Sequence, residues 1–276
     1  MKSFPLPRIL ATAVAATAVA ATALALAAPA SGASASGASA VSGASAVSTP
    51  SRPIIGGGSA SQTYSFMVSL QQDGQHICGA SLISPTWAVT AAHCVAGGSA
   101  DQFTVRVGSS DRTSGGEVAP LARIVPHPNY STNNDIALIQ LATPVQATPI
   151  AIADSAPTGT ATRLLGWGQE TPPRGGDNGP DQLKELDTSL RASGCAEGFD
   201  ASSELCVDNP QGSDGNNQGA CYGDSGGPAI ARINGEWRLL GATSRAGGSS
   251  SDCAVDPSIY TNVTAFKDFI RSTMAS

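Results

Sequence analysis

The sequence contains few charged and few aromatic side chains. Only 13% of its 276 residues are Asp, Glu, Lys or Arg, only 5% are Phe, Trp or Tyr, and three are histidines. The whole chain has 15 basic and 21 acidic residues, a net charge of −6. Lys2, Arg8 and Arg52 lie in the first 53 residues, so residues 54–276 have 12 basic and 21 acidic residues, a net charge of −9. This balance disfavours nucleic acid and anionic membranes as partners.

The first 53 residues lack acidic side chains altogether. Lys2 and Arg8 precede an uncharged Ala/Val/Leu run over 9–28, and small residues follow at 28–30. This pattern predicts a secretory signal peptide over residues 1–30; the alternative is a transmembrane anchor, since the run is near spanning length. Residues 31–53 are almost entirely Ala, Ser, Gly, Val and Thr and cannot bury enough apolar surface to offset their ordering entropy, which predicts a disordered pro-segment. We therefore expect a secreted protein that does not stay in the membrane after signal cleavage.

Cysteines are few, but their number is even. All six follow the export segment, which indicates disulfides in an oxidising compartment. A zinc site is the alternative, but close Cys-x-x-Cys and His pairs are missing. Spacing alone does not fix the pairing.

From residue 54 onward, short apolar or alternating segments are separated by Gly, Pro, Asn and Ser. The clearest strand-like segments are 66–70, 103–107, 137–141 and 238–241. Regular spacing of such strands predicts an all-β barrel or sandwich. Near the C-terminus, apolar positions at helical spacing predict one helix, with Thr264 as its N-cap: Val263, Phe266, Phe269 and Ile270.

Ser225 lies in the glycine-rich stretch 223–228, Gly-Asp-Ser-Gly-Gly-Pro. Acyl transfer needs a nucleophile beside exposed backbone N–H groups, and a serine needs a general base and an orienting carboxylate. His93 follows an apolar segment within Thr-Ala-Ala-His-Cys, and Asp135 opens a β-branched run. The alternatives are an ordinary loop serine, a structural histidine and a turn aspartate.

The order His93, Asp135, Ser225, together with these three motifs, resembles the chymotrypsin/trypsin family of serine endopeptidases over residues 54–276. The resemblance implies an all-β fold of two six-stranded antiparallel Greek-key barrels with a C-terminal α-helix. It also implies peptide hydrolysis through an acyl-enzyme intermediate.

The family assigns a role to each residue. Ser225 would be the nucleophile and His93 the general base and acid. Asp135 would orient the histidine, with Ser244 donating a hydrogen bond to that aspartate. The backbone N–H groups of Gly223 and Ser225 would form the oxyanion hole.

Two further features follow from the resemblance. Asp224 needs a cationic partner if buried, and the family supplies one as the new ammonium of Ile54 after proteolysis. Pro53 precedes Ile54, where a trypsin-activated precursor usually has Arg or Lys, so the activating protease is open. The implied disulfides are Cys78–Cys94, Cys195–Cys206 and Cys221–Cys253.

The resemblance assigns a substrate pocket to Gly219, Tyr222, Ser244, Ala246 and Ser258. Gly219 offers no charge at the position that is Asp in trypsin-like enzymes, while Ala246 and Ser258 would narrow the slot. We expect a preference for apolar side chains rather than Lys or Arg. Arg245 replaces the usual Trp and could favour acidic groups on the substrate.

The sequence thus predicts a monomeric endopeptidase acting on polypeptides, with protein protease inhibitors as further partners and with no cofactor or metal. The alternatives are a serine esterase or acyltransferase on the same triad and a catalytically inactive binding module.

Overall fold

A computed structural model describes residues 53–196 and 198–276. The predicted signal peptide and nearly all of the predicted pro-segment lie outside the described residues. An irregular turn at Pro53–Gly56 comes first. The strands of the N-terminal half are β1 (Gly58–Ser59), β2 (Met67–Gln72), β3 (Gln75–Ser84), β4 (Trp87–Thr90), β5 (Phe103–Val107), β6 (Glu117–Pro126) and β7 (Ala137–Leu141).

Strands β2 to β7 close into an antiparallel barrel in the order β2-β3-β4-β7-β6-β5. β5 pairs with β2 over Val68↔Val107 to Gln72↔Phe103, which closes the ring. Alternate residues of β5 point into the barrel and are fully buried, as a period of two requires for a strand with one buried face.

The strands of the C-terminal half are β8 (Ala151–Ile152), β9 (Ala161–Gly166), β10 (Lys184–Arg191), β11 (Glu204–Val207), β12 (Pro228–Ile233), β13 (Glu236–Ala246) and β14 (Ser258–Asn262). Six of them form the ring β9-β10-β11-β14-β13-β12, because β9 pairs with both β10 and β12. β1 extends the sheet beside β10, and β8 pairs in parallel with β13. Two closed six-stranded barrels were predicted, and this prediction is confirmed.

One buried apolar cluster fills the first barrel and continues to the second. Val68, Leu138 and Ile139 belong to the first barrel, whereas Ile230 and Leu239 come from β12 and β13. A second cluster around Leu205 and Tyr260 fills the second barrel. The shared core fixes the seam between the barrels, where the loops that carry the predicted site lie.

The chain ends in a 3₁₀ turn (Val263–Phe266) followed by the helix Lys267–Met274. The predicted helix exists, but Thr264 is not its N-cap. Asn262 caps the turn, because its side chain accepts a hydrogen bond from the Thr264 amide. Within residues 53–196 and 198–276, no helix is both long and apolar enough to cross a membrane.

Three disulfides connect the six cysteines in the pairs that the resemblance implied: Cys78–Cys94, Cys195–Cys206 and Cys221–Cys253. The first ties β3 to the turn that carries His93. The third joins the segment before Ser225 to the segment before β14, so it braces two walls of the cavity described below.

Candidate active site

The pairing of β4 with β7 brings His93 to Asp135. Thr90 pairs with Ala137 at the end of these antiparallel strands. His93 lies in the 3₁₀ turn Ala92–Cys94 just after β4, and Asp135 lies just before β7. Two residues that are 42 positions apart therefore meet at one end of the first barrel.

Asp135 accepts two hydrogen bonds from His93, one at each carboxylate oxygen. The His93 amide donates to Oδ1 at 2.9 Å, and the ring Nδ1 contacts Oδ2 at 2.7 Å. Ser244 from the second barrel donates its hydroxyl to Oδ2 at 2.7 Å, and Thr261 donates to the Asp135 carbonyl at 2.8 Å. The imidazole is thereby held with Nδ1 as the donor and Nε2 facing outward.

Burial alone would raise the pKa of the Asp135 carboxyl. The hydrogen bonds from His93 and Ser244 outweigh that effect, and the pKa lies below its ordinary value. Asp135 is therefore ionised near neutral pH and can stabilise a protonated His93.

Ser225 lies in a tight turn that both barrels hold. Its carbonyl accepts from the Gly79 amide of β3 at 2.8 Å, and the next amide, of Gly226, donates to Thr243 of β13 at 2.7 Å. Gly226 has φ of +74°, and a Cβ there would collide with Thr90 Oγ1 and the Gly79 carbonyl. Only glycine permits this close approach.

Two backbone donors beside Ser225 remain unengaged. Among the residues that the structure describes, neither the Gly223 amide nor the Ser225 amide donates to a protein group. Gly223 has φ of +97°, a conformation that glycine adopts without strain. Ser225 and His93 line the same cavity; in the described part of the chain the Ser225 hydroxyl has no hydrogen-bond partner.

His76 supports this turn through a contact that no sequence motif indicated. Its Nε2 lies 3.0 Å from the Gly223 carbonyl, so Nε2 carries the proton, and Nδ1 can accept from Ser69 at 2.9 Å. Burial lowers the pKa of His76 to about 4. The neutral ring therefore fixes the peptide that precedes Asp224.

Asp224 is a buried carboxylate whose only hydrogen-bond partners in the described structure are backbone amides. Gly168 and Cys221 donate to it at 2.7 and 2.9 Å. Burial raises its pKa to about 6 despite these donors. Ile54, the predicted partner residue, is 1% exposed, and Ile55 bridges Gly219.

The cavity beside Ser225 has a volume of about 350 Å³. Four of the five predicted pocket residues line it: Tyr222, Ser244, Ala246 and Ser258. Gly219 is not among the lining residues, because Ala254 lies against it, 3.5 Å from where a Cβ at Gly219 would be. The wall also carries two carboxylates, Asp252 and Asp256, and two arginines, Arg174 and Arg245.

Arg245 is not a free cation in this cavity. Its Nη1 forms an ion pair with Glu204 and donates to the Thr132 carbonyl at 3.0 Å. The guanidinium is therefore already neutralised, which argues against the expectation that Arg245 attracts acidic substrate groups. The motifs contained no signal for this pair, because its members are 41 residues apart in different strands.

A serine beside unengaged amides and a carboxylate-bound histidine thus line one cavity. The family model described as Trypsin matches residues 54–270. Human Serine protease 56 is 33% identical over 81% of this chain, and the match spans 39% of that relative. Rat Serine protease 1 is 36% identical over 76% of this chain and 85% of its own length. Trypsin alpha of Drosophila erecta is 35% identical over 80% of this chain and 87% of its own length.

The chain belongs to the trypsin family of serine proteases. It is a serine-type endopeptidase, and polypeptides are its substrate class.

Proposed function

We propose that this enzyme cleaves peptide bonds with Ser225, His93 and Asp135 acting as a triad. His93 Nε2 takes the Ser225 proton as Oγ attacks the substrate carbonyl, and Asp135 stabilises the imidazolium that forms. The amides of Gly223 and Ser225 bind the oxyanion. The tetrahedral intermediate then collapses: His93 gives its proton to the amine as the C–N bond breaks, and the amine leaves. A water that His93 deprotonates attacks the acyl-enzyme, and Ser225 takes the proton back as its ester bond breaks.

The observation that carries this proposal is the hydrogen-bonded chain Ser244–Asp135–His93, which ends at the cavity containing Ser225. A structural histidine would have no need of a buried carboxylate with both oxygens engaged. Because Nδ1 is bound to Asp135, Nε2 is the ring nitrogen that would take the Ser225 proton in general-base catalysis.

We propose further that the protein is exported and made as an inactive precursor, cut before Ile54. In the uncut chain Ile54 has φ of +41°, which is strained for a β-branched residue. Hydrolysis of the Pro53–Ile54 bond removes that torsion and creates an ammonium. The buried Asp224 carboxylate, which has no cationic partner among the described residues, would then bind that charge.

For the acyl side of the cut we propose apolar side chains of small to medium size. Ala246 and Ser258 are small and line the cavity. Of the two wall carboxylates, Asp256 already accepts from the Ser250 amide at 3.0 Å, and Asp252 is exposed to water. Neither is a desolvated partner for Lys or Arg.

The test uses the active protein, Ser225→Ala, and Ser272→Ala as the matched control on the exposed face of the C-terminal helix. The parent and the control should react with a fluorophosphonate and hydrolyse casein. Ser225→Ala should fold normally, lose labelling and lose activity by several orders of magnitude. Turnover of simple esters without casein would favour an esterase or acyltransferase, and an unlabelled parent would favour an inactive binding module.

A further inference from the structure

The structure contains a buried ion pair beside the site, made by Arg245 in β13 and Glu204 at the start of β11. The Glu204 side chain is 1% exposed, and that of Arg245 is 26% exposed. A buried carboxylate is costly unless it is paired and its remaining lone pairs are satisfied. Glu204 meets both conditions, since its other oxygen accepts from Asn133 at 3.1 Å and from the Asp200 amide at 2.8 Å.

This pair holds the turn that immediately precedes the proposed catalytic aspartate. Arg245 donates to the Thr132 carbonyl, and Glu204 accepts from the Asn133 side chain. Thr132 and Asn133 belong to the 3₁₀ turn Thr132–Asn134, which has no side-chain cap of its own. Both residues of the pair are in the second barrel, whereas the turn leads into β7 of the first.

β13 and β14, the strand that pairs with β11, also hold Asp135 directly. Ser244, next to Arg245, binds the Asp135 carboxylate. Thr261, the register partner of Glu204, binds the Asp135 carbonyl. Ser244 and Thr261 hold Asp135 itself, and the ion pair holds residues 132 and 133, which precede it in the chain.

We propose that Arg245 and Glu204 are positioning residues that clamp the 132–134 turn between the barrels and so set the geometry of Asp135 toward His93. The inference rests on the proposed triad. Without the clamp, Asp135 keeps its side chain but its backbone gains freedom, and small displacements of a positioned group lower the rate of the chemical step.

The key variant is Glu204→Gln, which keeps the shape and removes the charge. We expect kcat for a small ester substrate to fall about tenfold with KM nearly unchanged, because Glu204 does not line the cavity. The matched control is Asp208→Asn, which removes the charge from the exposed Arg191–Asp208 pair. That control should retain full kcat.

Two readouts separate positioning from a loss of stability. The proton NMR resonance of His93 Nδ1–H should move upfield in Glu204→Gln and stay in place in the control. In an Asp135→Asn background, Glu204→Gln should cause little further loss of kcat, because the group that it positions is already disabled.

If Glu204→Gln fails to fold, the double variant Glu204→Met/Arg245→Met removes both charges, a change that buried pairs often tolerate. It should fold and still show the lower kcat and the shifted resonance. Full activity with an unmoved resonance in a folded clamp variant would overturn the proposal. The proposed triad is tested separately, by fluorophosphonate labelling of Ser225 in the unmodified enzyme. Loss of that labelling would contradict the triad, whereas the clamp variants test only the positioning of Asp135.

Discussion

Ionisation of Asp224 should destabilise the uncut chain. Burial raises the pKa of this carboxyl from 3.8 to about 6. At 1.36 kcal/mol per pKa unit, keeping Asp224 ionised in the folded uncut chain costs about 3 kcal/mol. The folded state binds the proton more tightly than the unfolded state does. The contribution of Asp224 to the free energy of unfolding should therefore fall as pH rises from about 4 to about 6, and remain low above that.

His76 has the opposite effect in nearly the same range. Burial lowers its pKa from 6.5 to about 4, so the folded state binds this proton less tightly than the unfolded state. Its contribution therefore rises with pH between about 4 and 6.5, by at most roughly 3 kcal/mol. The two effects nearly cancel in the unmodified chain. A variant that removes one of the two titrating groups should therefore reveal the pH dependence that the other causes.

The assay is urea unfolding of the uncut full-length chain at several pH values from 4 to 8. Ser225→Ala is present throughout to prevent self-cleavage. Adding Asp224→Asn should make the free energy of unfolding rise by about 3 kcal/mol across this range, and adding His76→Gln should make it fall by a similar amount. Asp73→Asn, in an exposed turn where Asn also tolerates the positive φ of 51°, is the control and should leave the parent's profile unchanged.

The readout is the change in the free energy of unfolding with pH rather than its value at one pH. The side-chain amide introduced by Asp224→Asn directs an N–H donor toward one of the two backbone N–H groups, and that loss is the same at every pH. An Asp224→Asn profile parallel to that of the parent would refute the argument from burial. After cleavage before Ile54 the sign should reverse at pH 7: the ammonium then pairs with Asp224, and Asp224→Asn should destabilise the cut protein and lower its activity. An active enzyme that retains residues 31–53 would contradict the proposed activation.

Two further predictions concern the cavity and its bridges. Substrates ending in Ala or Leu should have a higher kcat/KM than one ending in Arg; if the unmodified enzyme prefers Arg, Asp256→Asn should abolish that preference. Mass mapping should find no free thiols, and each bridge should contribute roughly 2–4 kcal/mol. Removing Cys221–Cys253 should reduce activity more than removing Cys195–Cys206, because only the former braces two cavity walls; equal losses would contradict this assignment.

The sequence predicted what depends on local pattern. Segment 103–107 alternates between buried and partly exposed residues, and β5 has those bounds; segment 137–141 matches β7 as well. By contrast, β10 over Lys184–Arg191 carries charged and hydroxyl side chains with little apolar alternation, and it was not predicted. Its place is set by pairing with β9 and β11, which is information that no short window contains.

The same limit applies to the site. Ser225, His93 and Asp135 stand in short motifs, so their roles could be proposed before any distance was known. His76 beside Gly223 and Glu204 beside Arg245 are isolated residues that belong to no motif. Their contacts arise where two barrels meet, and only the packed chain brings them together.

The seam between the barrels explains why so many polar groups are buried near Ser225. Two of the three proposed catalytic residues are held from the opposite barrel: Ser225 through the Gly79 amide, and Asp135 through Ser244 and Thr261. A buried polar group is costly when unpaired, so a shift of one barrel against the other would break several of these bonds at once. The hydrogen bonds that arrange the chemistry are therefore also those that align the barrels. A substitution that loosens the seam should therefore lower kcat and the free energy of unfolding together.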